Sequence, residues 1–171
     1  MSRAFVRESD VPPLSDLPPL VSPLPPGAKN YLTPGGVVRL RDEIARLADT
    51  QRPALAAAPA EDIEAKGALQ VLDQRLRYLQ ESLRTAEIVT PPAGPADMVH
   101  FGATVTVCEN GGPETRYRIV GVDETDLDRN WVSWLSPLAR ALMNAQRGQR
   151  VTLKAPRGPK ELEIVQIAYE A

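Results

Sequence analysis

Cysteine and histidine are almost missing: Cys108 and His100 are each the sole residue of their kind among 171. A single cysteine excludes a disulfide framework within the chain and fits a reducing compartment. One Cys and one His also exclude a zinc site of the usual Cys/His spacing. Aromatic residues make up 5% of the chain, too few for an aromatic-lined isomerase pocket. An excess of one charge is lacking as well, since 20 Lys and Arg face 22 Asp and Glu, for a formal net charge of -2. Free nucleic acid is held mainly by basic side chains that neutralise phosphates, so this balance makes a poor nucleic-acid binder. No apolar run approaches the ~20 residues that cross a bilayer. The opening MSRAFVRESD has no apolar segment of the kind a secretory signal needs. These absences describe a cytoplasmic protein without a membrane partner.

Hydrophobic residues, at 43%, suffice for a core, and 17 prolines divide the chain. Seven of them fall between Pro12 and Pro26. Proline lacks a backbone donor and biases its predecessor away from the α region. Residues 1–29 are therefore expected to form a disordered, extended tail of polyproline II character, either a plain tail or a docking ligand that uses Leu14, Leu17, Leu20 and Leu24.

An α-helical hairpin is expected over 30–90. Thr33 suits the N-cap and Pro34 the first helical position. Val37, Leu40, Ile44 and Leu47 then repeat at 3-4-3 spacing, which makes one narrow stripe. Pro53 is placed to kink or end this helix, and Pro59 to reverse the chain. Leu69, Leu72, Leu76, Leu79, Leu83 and Ala86 carry a second stripe through AEDIEAKGALQVLDQRLRYLQESLRTAEI. Two stripes of similar length joined by a short turn bury best against each other, as an antiparallel hairpin. Arg39, Arg41, Arg46, Arg75, Arg77 and Arg84 alternate with Asp42, Glu43, Asp73 and Glu81, the pattern of a salt-bridged, solvated face.

PPAGPAD marks a linker over 91–98, and the periodicity then changes to two. ATVTVC, RYRIVGV, WVSWL, VTLKA and ELEIVQIAY read as strands. Ser136 and Pro137 open a short helix in SPLARALMNA, with Gly148 as its stop. Residues 99–171 are thus expected to form a small antiparallel β domain with one helix, and the whole chain an α+β protein. Cys108 reads as a buried small apolar residue, and His100 as structural.

NYLTPGG, RLRYL, RIVGVDE and SPLARALMNAQRGQRVTLKAP together resemble the GreA/GreB transcript-cleavage factors, with GreB the nearer type, over about Asn30 to Tyr169. The resemblance implies a coiled-coil hairpin followed by an FKBP-like domain. It also implies RNA polymerase as partner, with docking at the rim of the secondary channel and contact with RNA inside it. Docking falls to Ser133, Trp134, Leu135, Ser136, Pro137 and Leu138, where Leu135 takes the place of an acid common in the family. The chain itself is not expected to be an enzyme. Nor is it expected to hold a cofactor or metal ion of its own, beyond a share in the polymerase's Mg²⁺. It is expected to be a monomer.

The family's acidic tip, of Gly-Asp-x-Ser-Glu-Asn type, has no counterpart. The hairpin is shorter by roughly a dozen residues, which removes about 9 Å from each arm at the helical rise. Glu61, Asp62 and Glu64 are either a relocated acidic tip or first-turn helix carboxylates that favour the helix dipole. No catalytic role is carried onto them. The main expectation is a regulator that occupies the channel and alters elongation. The alternatives are an authentic cleavage factor with a relocated tip, and a short-hairpin regulator of nucleoside diphosphate kinase type.

Overall fold

A computed structural model describes residues 18–92 and 97–170. The tail expected over 1–29 lies outside the described residues as far as 17. The chain divides into two compact units: a hairpin unit of Met1–Ser22 with Leu40–Arg84, and a β unit of Pro23–Arg39 with Thr85–Ala171. The division runs through helices rather than at the proline-rich linker.

The first arm begins as helix α1 (Pro34–Ala45), passes through a π-helical stretch (Arg46–Gln51) and ends as α2 (Arg52–Ala56). Pro53 explains the wide turn. Its ring crowds the carbonyl four residues back, so the ladder opens and the Arg52 N–H bonds to the Leu47 carbonyl, five residues back. The arm continues past the proline instead of ending there. Helix α3 (Ile63–Thr85) is the second arm, 23 residues long, or about 34 Å at the helical rise.

Among the described residues of the hairpin unit, the buried apolar side chains are Leu40 and Leu47 on the first arm and Leu72, Leu76 and Leu79 on the second. Leu69 and Leu83, at the ends of the second stripe, are half-buried. Charged pairs join the arms at the edge of this seam: Arg52 with Asp73 at 2.8 Å and Arg75 with Glu43 at 3.1 Å. Arg84 pairs along its own helix with Glu81.

In the β unit, strand β1 (Asn30–Leu32) pairs in parallel with β2 (Ala86–Ile88). The helical pattern in the sequence runs on through Ala86–Ile88. The helix ends at Thr85 because the next three residues take β1 as partner, a pairing 56 residues apart that no local pattern announces. Five further strands form one sheet in the order β5-β4-β3-β7-β6. These are β3 (Ala103–Glu109), β4 (Glu114–Val120), β5 (Trp131–Ser133), β6 (Arg150–Ala155) and β7 (Gly158–Tyr169). The pairing is antiparallel except between β4 and β5.

Helix α4 (Pro137–Leu142) lies against the sheet's inner face and adds Ala139 and Leu142 to a core of Val105, Ile119 and Ile164, all fully buried. It stops well before Gly148. Met143 turns extended, Asn144 takes φ 64°, and the Asn144 N–H bonds to the Val99 carbonyl, so the chain leaves the helix to pair with the segment at Val99. Cys108 is only half-buried, and its thiol donates to the Gly112 carbonyl across the hairpin turn, at 3.1 Å. No described helix is long and apolar enough to cross a membrane.

Candidate functional site

The expected docking loop follows directly from β5. The Ser136 hydroxyl accepts from the Ala139 N–H at 3.1 Å and caps α4, with Pro137 at the first helical position. Ser133, the last residue of β5, accepts from the Leu135 N–H at 3.2 Å and turns the chain out of the strand. One helix cap and one turn bond therefore shape the loop from within. Pro137 is exposed, while Leu135 is half-buried and Leu138 packs on the core. Trp134 is half-buried too, packed on the core and tilted against Tyr31 at 5.0 Å between ring centroids. Its indole N–H is buried without a partner among the described residues. Of the six loop positions, Pro137 alone is fully presented, and Trp134 serves mostly as packing.

The tip carboxylates belong to the hairpin unit. Glu61, Asp62 and Glu64 are all exposed. Asp62 uses its carboxylate to accept from the Ala65 N–H at 2.9 Å, and its carbonyl accepts from Lys66. That is N-cap geometry, satisfying orphan donors of α3. A divalent ion shared with another protein needs several free oxygen ligands aimed at one point. With Asp62 turned into its own helix, the tip residues do not fit that demand.

A second polar centre in the β unit escaped the sequence reading. After β4 the chain makes a 3₁₀ turn (Val122–Glu124) whose last residue, Glu124, has a fully buried side chain. Its carboxylate accepts from the Thr33 N–H (2.9 Å), the Thr33 hydroxyl (2.5 Å), the Gly121 N–H (3.1 Å) and an Arg39 guanidinium nitrogen (2.8 Å). Because Thr33 donates its hydroxyl proton to Glu124, its lone pairs are left to accept from the Gly36 N–H at 2.9 Å and cap α1. A Cβ at Gly36 would meet the Glu124 carboxyl, and one at Gly121 would meet the Tyr31 carbonyl. Both glycines are thus required for close approach. The sequence signal was present, in NYLTPGG and RIVGVDE, but nothing in either motif alone joins Thr33 to Glu124. Arg39, read as part of a solvated face, is committed to this centre.

The family model described as "Transcription elongation factor, GreA/GreB, C-term" matches residues 94–169, which include β3–β7 and the capped loop. A transcription elongation factor GreB from Neisseria meningitidis is 38% identical over 154 residues, covering 82% of this chain and 94% of that protein. The chain belongs to the GreA/GreB family. A GreA from Alkalilimnicola ehrlichii is also 38% identical, over 83% of this chain and 99% of its own length. Among solved structures, the GreA/GreB factor from Nitrosomonas europaea is 22% identical, covers 82% of this chain and all of its own, and superposes with a TM-score of 0.41. The expectation of a GreB-like Gre protein is met at the level of the family.

Proposed function

We propose that this chain binds RNA polymerase and regulates transcript elongation, with little or no stimulation of transcript cleavage. The observation that carries the polymerase reading is the similarity to GreB and GreA factors over 82–83% of the chain, more than the β unit alone spans. Docking would use the loop from Ser133 to Leu138, which the hydroxyls of Ser133 and Ser136 hold in one shape before binding. A preformed loop loses less entropy on association than a flexible one. The hairpin would then enter the secondary channel and lie beside RNA there. The protein would act as a cytoplasmic monomer and bring no metal ion of its own.

The cleavage part of this reading rests on the tip. Asp62 is spent on helix capping, which leaves Glu61 and Glu64 as the free acids. Cleavage assays on stalled, backtracked polymerase test this reading. The parent protein should add nothing measurable to the polymerase's own rate. The triple variant Glu61→Lys, Asp62→Lys, Glu64→Lys should behave like the parent. Stimulation by the parent that the triple variant loses would instead make it a cleavage factor with a relocated acidic tip. The alternative of a nucleoside diphosphate kinase regulator is not favoured by the relatives found.

A further inference from the structure

Leu72, Leu76 and Leu79 form the buried seam of α3. At 3.6 residues per turn, Gln70, Gln74 and Tyr78 fall on the side away from that seam, where water is the ordinary neighbour. All three are nevertheless half-buried. The end of the proline-rich tail supplies part of that cover, because the Gln74 side-chain amide donates to the Pro18 backbone carbonyl. Pro18 and Gln74 belong to the same compact unit. Toward the start of the helix the same side turns apolar and open, with Val71 58% exposed and Ile63 62%.

A side-chain amide that donates to a proline carbonyl, one turn from a tyrosine, is the chemistry that holds polyproline II segments. Such a segment makes no hydrogen bonds of its own, so its carbonyls accept from outside donors and its prolines lie against aromatic rings. Its three-residue turn decides which side chains share a face. Leu14, Leu17 and Leu20 recur at that spacing, among Pro12, Pro13, Pro18 and Pro19. Leu20 is 46% exposed, well below the 84% of its neighbour Val21. Direction and length agree. Asn30, after the tail, donates to the hydroxyl of Thr85, the last residue of α3, at 3.3 Å. The chain therefore runs from Gln74 toward the C-terminal end of the helix, and the residues before Pro18 lead back toward Ile63. Ile63 to Gln74 is about 17 Å at the helical rise. At about 3.1 Å per residue, a polyproline II segment covers that distance in roughly five to six residues, from Pro12 or Pro13 to Pro18.

We propose that residues 11–17, which lie outside the described residues, bind in cis along α3 as a polyproline II strap, with Leu17 beside Val71 and Leu14 toward Ile63. Tethering favours this occupant over a partner in solution, since a short linker raises the local concentration to the order of millimolar. A strapped hairpin presents prolines, rather than a bare helix face, to whatever groove it enters. The proposal does not rest on the polymerase reading.

Double electron–electron resonance on the full chain tests it. Spin labels go on Asp10→Cys and Gln80→Cys, with Cys108→Ser to remove the native thiol. A docked strap gives a narrow distance peak at about 30–35 Å, the sum of the strap and helix lengths between the labels. Val71→Asp should abolish that peak and leave a broad distribution, and Gln74→Ala should broaden it. Val38→Asp, at a valine of similar exposure on α1, should leave it in place. A broad distribution in the parent, or equal broadening by Val71→Asp and Val38→Asp, would overturn the proposal. A narrow peak in a mixture of the two singly labelled chains would place the tail on a second copy and overturn the strap in cis.

Discussion

In the hairpin unit, carboxylates paired with arginine keep some contact with solvent: Asp73 with Arg52, Glu43 with Arg75 and Glu81 with Arg84. In the β unit, one carboxylate paired with arginine, Glu124, is fully enclosed and takes four hydrogen bonds. The same pairing chemistry thus carries very different weight in the two units. An exposed pair gains little, because water competes for both partners and the side chains lose rotamer freedom. A buried carboxylate is held by donors that have no other partner, so its removal strands them all. The hairpin is therefore tolerant of change along its surface, while the β unit depends on a few positions where space and hydrogen bonding are fully used.

The sharpest way to break this comparison is to remove one acid from each unit. Glu124→Ala should destabilise the protein by about 3–5 kcal/mol, the cost of breaking a buried charged network. Glu43→Ala should cost less than about 1 kcal/mol, as exposed pairs do. Denaturant unfolding followed at a probe in each unit measures both. Equal losses would show that burial does not separate the two pairs.

Glycine substitutions give the next largest contrast. At Gly121 a methyl group would strike the Tyr31 backbone carbonyl, which cannot swing aside, so Gly121→Ala should cost about 2–3 kcal/mol, in the range of overpacking. Gly67 lies inside α3 with nothing near its would-be Cβ, so Gly67→Ala should raise hairpin stability by about 1 kcal/mol through helix propensity alone. Thermal melts of the two variants should shift in opposite directions.

A smaller effect belongs to pH. Burial pushes the Tyr169 phenol up from its ordinary value, partly offset by the hydrogen bond it accepts from the His100 N–H. Its O–H also donates to the Met98 carbonyl, a bond that ionisation would remove. A raised folded-state value means the contribution is complete below the unfolded value of about 10 and is lost as pH rises through the folded one. Stability should therefore fall above about pH 10, and Tyr169→Phe should flatten that decline while costing some stability at neutral pH. A melt series across the alkaline range reads the slope, and an unchanged slope in the variant would remove Tyr169 as its source.

Much of this fold was legible in the residues. The leucine stripe of the second helix needs only spacing, and Leu72, Leu76 and Leu79 are buried as that spacing requires. Thr33 and Ser136 cap their helices because a hydroxyl ahead of a helix-starting proline has few better uses. The β1–β2 pair was not legible, since three residues of AEI continue a helical pattern and their partner is distant in sequence. Pro53 was read as a kink or an end, and the wide turn that carries the helix past it depends on backbone relaxation that composition does not encode. Glu124 was invisible for a related reason: a glutamate in a turn looks solvated until the tertiary fold brings Thr33 and Arg39 to it. At the candidate site, the Ser136 cap could be anticipated from local chemistry. The gathering of Arg39, Arg118 and Arg129 on the Trp131 ring could not, because each comes from a different element.

The central claim is that this Gre-family chain binds RNA polymerase where Gre factors bind. The most direct measurement is competition, by fluorescence anisotropy, between this protein and a labelled authentic GreB for core RNA polymerase of the same organism. Displacement of the labelled factor is the predicted result. Failure to displace it even when this protein is in large excess over the labelled GreB would contradict the claim and point to a partner other than the polymerase.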